Sequence, residues 1–304
     1  MIYKEKEGQL KELKNVNFAL ERDLQRFVER NMTAIMGYKF IETEVATDNY
    51  RFDSIAFDEE NNAFIIVEYK RGKNESLVDQ GYAYLKTVID RKAELVLLYN
   101  EKFDVNRKVK DFDWSQTRVV FVSPKFTQYQ IDATSFGDMP FELFEIKKYE
   151  SDLYEIERIN QRKNACKKIQ INTIETDTIK QVSKEIKAYD EEYHLKNATE
   201  KAKELYFELK DRIADNDFDL TPVYRKNYIA FKKNNTKNVI DIWLKKDWIE
   251  VVFALKRGEL IDTENITYDI SNRLWSSEQY ALRLDKNVDM GYVMELVRQV
   301  YVKK

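Results

Sequence analysis

The chain has 304 residues and one cysteine, Cys166, so no intrachain disulfide can form and a reducing compartment is expected. Histidine is equally scarce. His194 stands alone, which excludes multi-histidine metal sites and leaves Ser-His-Asp or Cys-His catalysis nowhere to sit unless that residue serves. Only seven glycines occur, and neither G-x-x-x-x-G-K nor G-x-G-x-x-G is among them, so the two common phosphate-cradling loops are absent. No apolar run approaches the roughly 18 residues of a membrane helix. The first stretch, MIYKEKEGQLKELK, is charged from the outset and lacks a secretory pattern. A soluble, cytoplasmic protein with no membrane partner is expected. The net charge of −3 gives no general attraction for polyanions, so any nucleic-acid surface must be a local patch. Catalysis would have to rest on carboxylates, lysine, tyrosine and a bound ion.

What is present builds a core. Apolar residues make up 43% of the chain, and the 35% that are charged are mixed in sign. The length fits one large or two ordinary domains. Residues 1–15 are polar and read as a lead-in strand or arm. From Phe18 to Met36, Leu20, Leu24, Phe27, Val28 and Ile35 recur at helical spacing, and Gly37 stands where a C-terminal cap belongs. KFIETEVA, RFDSIAF and AFIIVEYK read as strands, the last two joined through the polar turn DEENN. Ser76 opens a second helix, SLVDQGYAYLKTVIDRKA. ELVLLYN and TRVVFVSP read as buried strands, and FELFEIKKYE as a last one. This order predicts an α/β domain over 1–150 with a mixed sheet flanked by helices. Residues 151–193 are polar and read as a partly helical connector. Residues 194–304 read as a smaller α+β domain: the helix ATEKAKELYFELKDRIA, the strands YIAFKK, VIDIWLKK and WIEVVFAL, and a closing helix, DMGYVMELVRQVYV.

One hairpin carries chemistry. In an antiparallel pair with a two-residue loop, facing residues are an odd number apart and share a face. A loop at Glu60–Asn61 pairs Asp53 with Glu68, and one at Asn61–Asn62 pairs Asp53 with Lys70. Either register puts Asp53, Glu68 and Lys70 on one face and Tyr69 on the other. Two acids and a lysine ending an apolar strand are costly to bury unless they pair or bind an ion. Carboxylates suit Mg²⁺, or Mn²⁺, and a lysine beside them can orient water. A salt bridge at a strand end is the plain alternative.

The string RFDSIAFDEENNAFIIVEYKRG, followed by DQGYAYL, resembles the PD-(D/E)XK (restriction-endonuclease-like) nuclease superfamily over roughly residues 16–150. It is most similar to the branch with a Q-x-x-x-Y helix, as in RecB-type and archaeal mismatch-type nucleases. The resemblance implies that Asp53 and Glu68 hold metal with the Tyr69 backbone carbonyl, and that Lys70 positions the attacking water. Gln80 and Tyr84, four residues apart on one helical face, match Q-x-x-x-Y. It also implies a glutamate from the first helix. Glu21 and Glu29 compete for that part; Glu21, nearer the apolar stripe, is expected to hold a second ion or its water, and Glu29 to turn toward solvent. Phe52 stands where the motif's proline would be.

In the second half, PVYRKNYIAFKKNNTKN brings Arg225, Lys226, Lys232 and Lys233 together with Tyr228 and no acid. Such a segment can contact phosphates and stack on bases, or simply be a solvated basic hairpin. RKNACKK at 162–168 offers a similar choice. The whole chain also resembles a bacterial family catalogued as predicted transport proteins, in which a C-terminal domain of unknown function follows the nuclease-like one. Similar C-terminal domains accompany restriction-type nucleases, which implies a target-sensing or partner-binding role. The expectation is a metal-dependent DNA endonuclease in restriction, defence or repair, acting as a homodimer. The alternative is a catalytically silent module on the same fold that binds nucleic acid or protein.

Overall fold

The computed structural model describes residues 2–16, 18–47, 49–70, 76–134, 139–159, 177–186, 189–234, 237–270 and 280–304. The chain divides into two compact units, Met1–Ala188 and Tyr189–Lys304.

The first unit opens with an isolated antiparallel pair, β1 (Ile2–Lys6) and β2 (Gln9–Leu13). Helix α1 (Glu21–Met36) follows; the Asp23 carboxylate accepts the Leu20 N–H, and Gly37 at φ 78° closes the helix. Its stripe of Leu24, Val28, Met32 and Ile35 is buried. Then come β3 (Lys39–Ala46), β4 (Arg51–Asp58), β5 (Ala63–Tyr69), α2 (Leu77–Asp90), α3 (Lys92–Phe103), β6 (Arg118–Ser123), α4 (Gln128–Thr134), β7 (Phe141–Tyr149), β8 (Leu153–Ile159) and α5 (Asp177–Glu185). The six strands from β3 to β8 form one sheet in chain order. Its centre, β5–β6–β7, is parallel, and the other pairings are antiparallel. The expected mixed sheet flanked by helices is therefore present.

Two cores lie on the two faces of this sheet. Ile65, Val67 and Tyr69 of β5 join Leu24, Val28 and Met32 of α1 on one face. Phe64 and Ile66 join Leu85 and Val88 of α2 on the other. The pleat sends alternate residues to opposite faces, so Glu68 and Lys70 continue the α2-side row beyond its apolar part.

Two expectations are corrected. ELVLLYN is helix α3, not a strand. FELFEIKKYE is not the last strand, because β8 pairs along it from Tyr149↔Leu153 to Leu143↔Ile159. Part of the expected connector belongs to the first unit in the same way. Val182 and Ile186 pack into the α2-side core, and Lys92 pairs with Glu185.

The second unit holds α6 (Glu191–Leu195), α7 (Glu200–Asp215), β9 (Leu220–Tyr224), β10 (Ile229–Lys233), β11 (Lys237–Leu244), β12 (Ile249–Phe253), β13 (Thr267–Asp269), β14 (Tyr280–Leu284) and α8 (Met290–Lys303). Its strands form an antiparallel sheet ordered β13-β14-β12-β11-β10-β9. Helices α7 and α8 share one core with it through Tyr206, Leu209, Val293, Leu296 and Val297. No helix among the described residues is long and apolar enough to cross a membrane.

Candidate active site

The hairpin chooses between the two registers. Asp58 faces Ala63 and Ser54 faces Val67, which centres the turn on Glu60–Asn61 and places Asp53 opposite Glu68. The backbone ladder stops at Ser54, and the Asp53 side chain takes over: its Oδ2 accepts the Tyr69 N–H at 3.0 Å. The N–H and C=O of one strand residue point to the same side. The Tyr69 carbonyl is therefore directed toward Asp53 as well. On the opposite edge, the Lys70 N–H donates to the Val122 carbonyl at 2.8 Å, which fixes the end of β5 against β6.

Helix α2 supplies the other wall. The Ser76 hydroxyl caps its N-terminus by accepting from the Asp79 N–H. Gly81 lets the helix lie close to β7, since a Cβ there would come within 2.4 Å of the Phe141 ring. One turn of this helix presents Gln80 and Tyr84. The Gln80 amide donates to Glu68 Oε1 at 2.7 Å and to the Tyr84 hydroxyl at 2.8 Å. The Tyr84 ring packs edge-on against Phe52 and Tyr50. The Lys70 ammonium lies 3.0 Å from the same Glu68 Oε1. Asp53, Glu68, Lys70, Gln80 and Tyr84 thus converge at the carboxyl end of β5, where ligands bind in open α/β sheets.

The electrostatics are those of crowded acids. Glu68 is 5% exposed. Burial, and then the negative Asp53 beside it, push its carboxyl up to about 7, against the opposing pull of Lys70. Burial also raises Asp53, although the Tyr69 N–H and Lys70 hold it back. The Tyr84 hydroxyl is raised by burial and by Glu68. Glu68 Oε2 is buried with no hydrogen-bond partner among the described residues. A divalent cation would satisfy that oxygen and relieve the repulsion between the two carboxylates. Among the described residues no group of three or more His, Cys, Asp and Glu side chains is placed to hold a metal. The donor set offered is two carboxylates and a carbonyl.

The helix acid is a correction. Glu21 is the exposed first residue of α1. Glu29, expected toward solvent, is half-buried; its Oε1 accepts from Ser54 Oγ at 2.7 Å and from the Gln25 amide at 3.1 Å. Gln25 also donates to the Asp53 carbonyl at 2.9 Å and to Thr43 Oγ1 at 3.2 Å. The polar flank of α1 therefore lies across β4. Because Ser54 and Asp53 point to opposite faces, Glu29 braces the strand from behind rather than joining the two carboxylates. The Gln25–Glu29 spacing of one helical turn was the signal for this brace.

The basic segment of the second unit is also not the open surface expected. Arg225 is 4% exposed and Lys232 6% exposed. Lys233 donates to the Tyr301 carbonyl and lies over the Tyr301 ring, and Tyr228 stacks on Trp243. Of the five residues, Lys226 is the exposed one. The segment lies in a sheet under α8. RKNACKK, with Cys166, lies outside the described residues. His194 is buried beside Tyr193 and Tyr224, and burial lowers its pKa.

The first unit is thus a mixed α/β domain with a carboxylate–lysine cluster at the end of its central strand. No family model matches the chain. An uncharacterized protein of Haemophilus influenzae is 40% identical over 301 residues, covering 98% of each chain, and this chain belongs to the same family. Two solved structures were also matched. One is an EndoMS–dsDNA complex, at 16% identity over 43% of this chain and 47% of that one. The other is a repair endonuclease from Pyrococcus abyssi, at 18% identity over 43% of this chain and 49% of that one. The TM-score is 0.25 in both cases, and likeness at that level carries no argument here.

Proposed function

We propose that this chain is a metal-dependent nuclease that hydrolyses phosphodiester bonds in DNA. One observation carries the reading: Glu68 Oε2 is buried without a hydrogen-bond partner among the described residues, beside Asp53 and within a turn's reach of Gln80 and Tyr84. Asp53, Glu68 and the Tyr69 carbonyl would hold Mg²⁺ or Mn²⁺. An ion there would lower the pKa of its water and stabilise charge on the scissile phosphate.

The chain's own groups do the rest. Lys70, tethered 3.0 Å from Glu68 Oε1, keeps a positive charge at the mouth of the site and orients the attacking water. The water oxygen bonds to phosphorus, one phosphorus–oxygen ester bond breaks, the water's proton passes to solvent, and the departing oxygen takes a proton from solvent to leave as an alcohol. Gln80 fixes the Glu68 rotamer with one N–H and Tyr84 with the other, so the carboxylate is held before substrate arrives. Asp53, anchored by the Tyr69 N–H, is held in the same way. A role in restriction, defence or repair, and a homodimer that cuts both strands of a duplex, extend this reading.

The test is cleavage of plasmid, single-stranded DNA and RNA in Mg²⁺ or Mn²⁺, with wild type beside Asp53→Ala. Metal-dependent cutting lost in the variant is the expected result. Cutting that survives Asp53→Ala refutes the site. No cutting of any substrate refutes the activity and leaves a binding module on this fold.

A further inference from the structure

A cavity of about 460 Å³ opens on the α1 face of the first unit, the face opposite Glu68. Arg26, Arg30 and Lys148 line it, together with Phe18, Phe27 and Tyr154; Asp23 and Glu29 complete the wall. The two acids are turned to donors of their own chain. Asp23 Oδ2 accepts the Leu20 N–H, and Glu29 Oε1 accepts from Gln25 and Ser54. The cations are only partly engaged: Arg30 Nε donates to the Arg26 carbonyl at 3.0 Å and the Lys148 ammonium lies 5.9 Å over the Tyr154 ring. Arg26 and Arg30 have no carboxylate within ion-pair distance among the described residues, and Lys148 reaches only the exposed Asp152, at 3.7 Å. Arg26 and Arg30 are four apart on the helix, a like-charge spacing that disfavours the helix itself. Beside them, Phe27 and Tyr154 stack at 4.3 Å and 17°, with Phe18 tilted against both. Guanidinium forks match phosphate oxygens, and aromatic walls take the faces of bases.

We infer that this cavity binds a nucleotide of the substrate strand several positions from the one being cut, its phosphate on Arg26, Arg30 and Lys148 and its base against Phe27 and Tyr154. The inference rests on the nuclease reading and deepens it. One side of the cavity reaches toward the carboxylates, since Glu29 lines it and holds Ser54, the residue after Asp53; Lys148 and Tyr154 lie on β7 and β8, two and three strands from β5.

The test is fluorescence anisotropy of a labelled single-stranded oligonucleotide with full-length protein in EDTA, where no cutting occurs. Wild type is compared with Arg26→Ala/Arg30→Ala and with Arg26→Lys/Arg30→Lys over a range of salt. Both arginines are exposed on α1, and alanine keeps the helix. Each phosphate contact on a single strand contributes about 0.7 to the slope of log K against log salt. The alanine pair is expected to lower that slope by roughly 1 to 1.5 and weaken binding at least tenfold, with the lysine pair keeping most of the slope. Phe27→Leu is expected to weaken binding without changing the slope. An unchanged slope and affinity in the alanine pair overturns the inference. So does AMP displacing the oligonucleotide at equal concentration, because the ligand is then a free nucleotide. If wild type cuts and the slope does not move, the cavity assignment alone fails. If wild type never cuts and the slope moves as expected, the nuclease reading fails and the cavity stands.

Discussion

Raising the pH should destabilise the metal-free protein through one residue. Burial, and then Asp53, lift the Glu68 carboxyl from 4.5 to about 7 in the folded chain. Between about pH 4.5 and 7 the folded state keeps a proton that the unfolded chain has lost. Stability therefore falls as pH rises through that window and levels off above about 7. At about 1.36 kcal/mol per unit, the shift amounts to about 3 kcal/mol. Asp53, also raised, acts in the same direction. Urea unfolding of the full chain in EDTA, at steps from pH 4.5 to 8.5, measures it. Glu68→Gln is the control. Its absolute stability also reflects the lost Lys70 contact, but it has no carboxylate at 68 to titrate, so the difference between the two pH profiles reports Glu68 together with its coupling to Asp53. Wild type should lose about 3 kcal/mol relative to the variant across the window. Parallel profiles would refute the reasoning. Saturating Mg²⁺ at pH 8 should restore wild type by about 3 kcal/mol at a hundred times Kd and leave Glu68→Gln nearly unmoved.

Other outcomes follow from the same geometry. Divalent-ion affinity should weaken as pH falls below about 7, approaching tenfold per unit, because the ion must displace the Glu68 proton; calorimetric titration of Mn²⁺ at pH 6 and 8 checks this. Gln80→Leu removes the donor that fixes both Glu68 and Tyr84, and should cost about 10–100-fold in metal affinity or cleavage. Gly81→Ala puts a Cβ within 2.4 Å of a Phe141 ring already packed against Tyr82 and Phe121. It should cost about 1–3 kcal/mol, and an unchanged Tm would contradict it.

The centre of the fold and its site was legible because strand parity and helical spacing are local rules. Asp53, Glu68 and Lys70 had to share a face in either register, and Gln80 with Tyr84 had to share a helical face. What failed depended on partners far away in the chain. ELVLLYN suits a buried strand or a helix equally, and only its flanks decide: α3 runs twelve residues from Lys92 to Phe103 and leaves Leu97 57% exposed. Glu29 lay outside the apolar stripe of α1, but the polar flank of that stripe meets Thr43 and Ser54 rather than water. Arg225 and Lys232 looked like a surface because charge usually is one. Their burial is set by the sheet and helix around them, which a window of sequence does not contain.

The central claim is that the Asp53–Glu68–Lys70 cluster cuts a phosphodiester bond, and Lys70→Ala tests it most directly. Lys70 is not counted among the metal donors, so the variant should still bind Mn²⁺ and DNA. In Mg²⁺ it should nick plasmid at least a hundredfold more slowly than wild type, at about 3 kcal/mol of lost transition-state stabilisation. Equal rates for the two proteins would contradict the account.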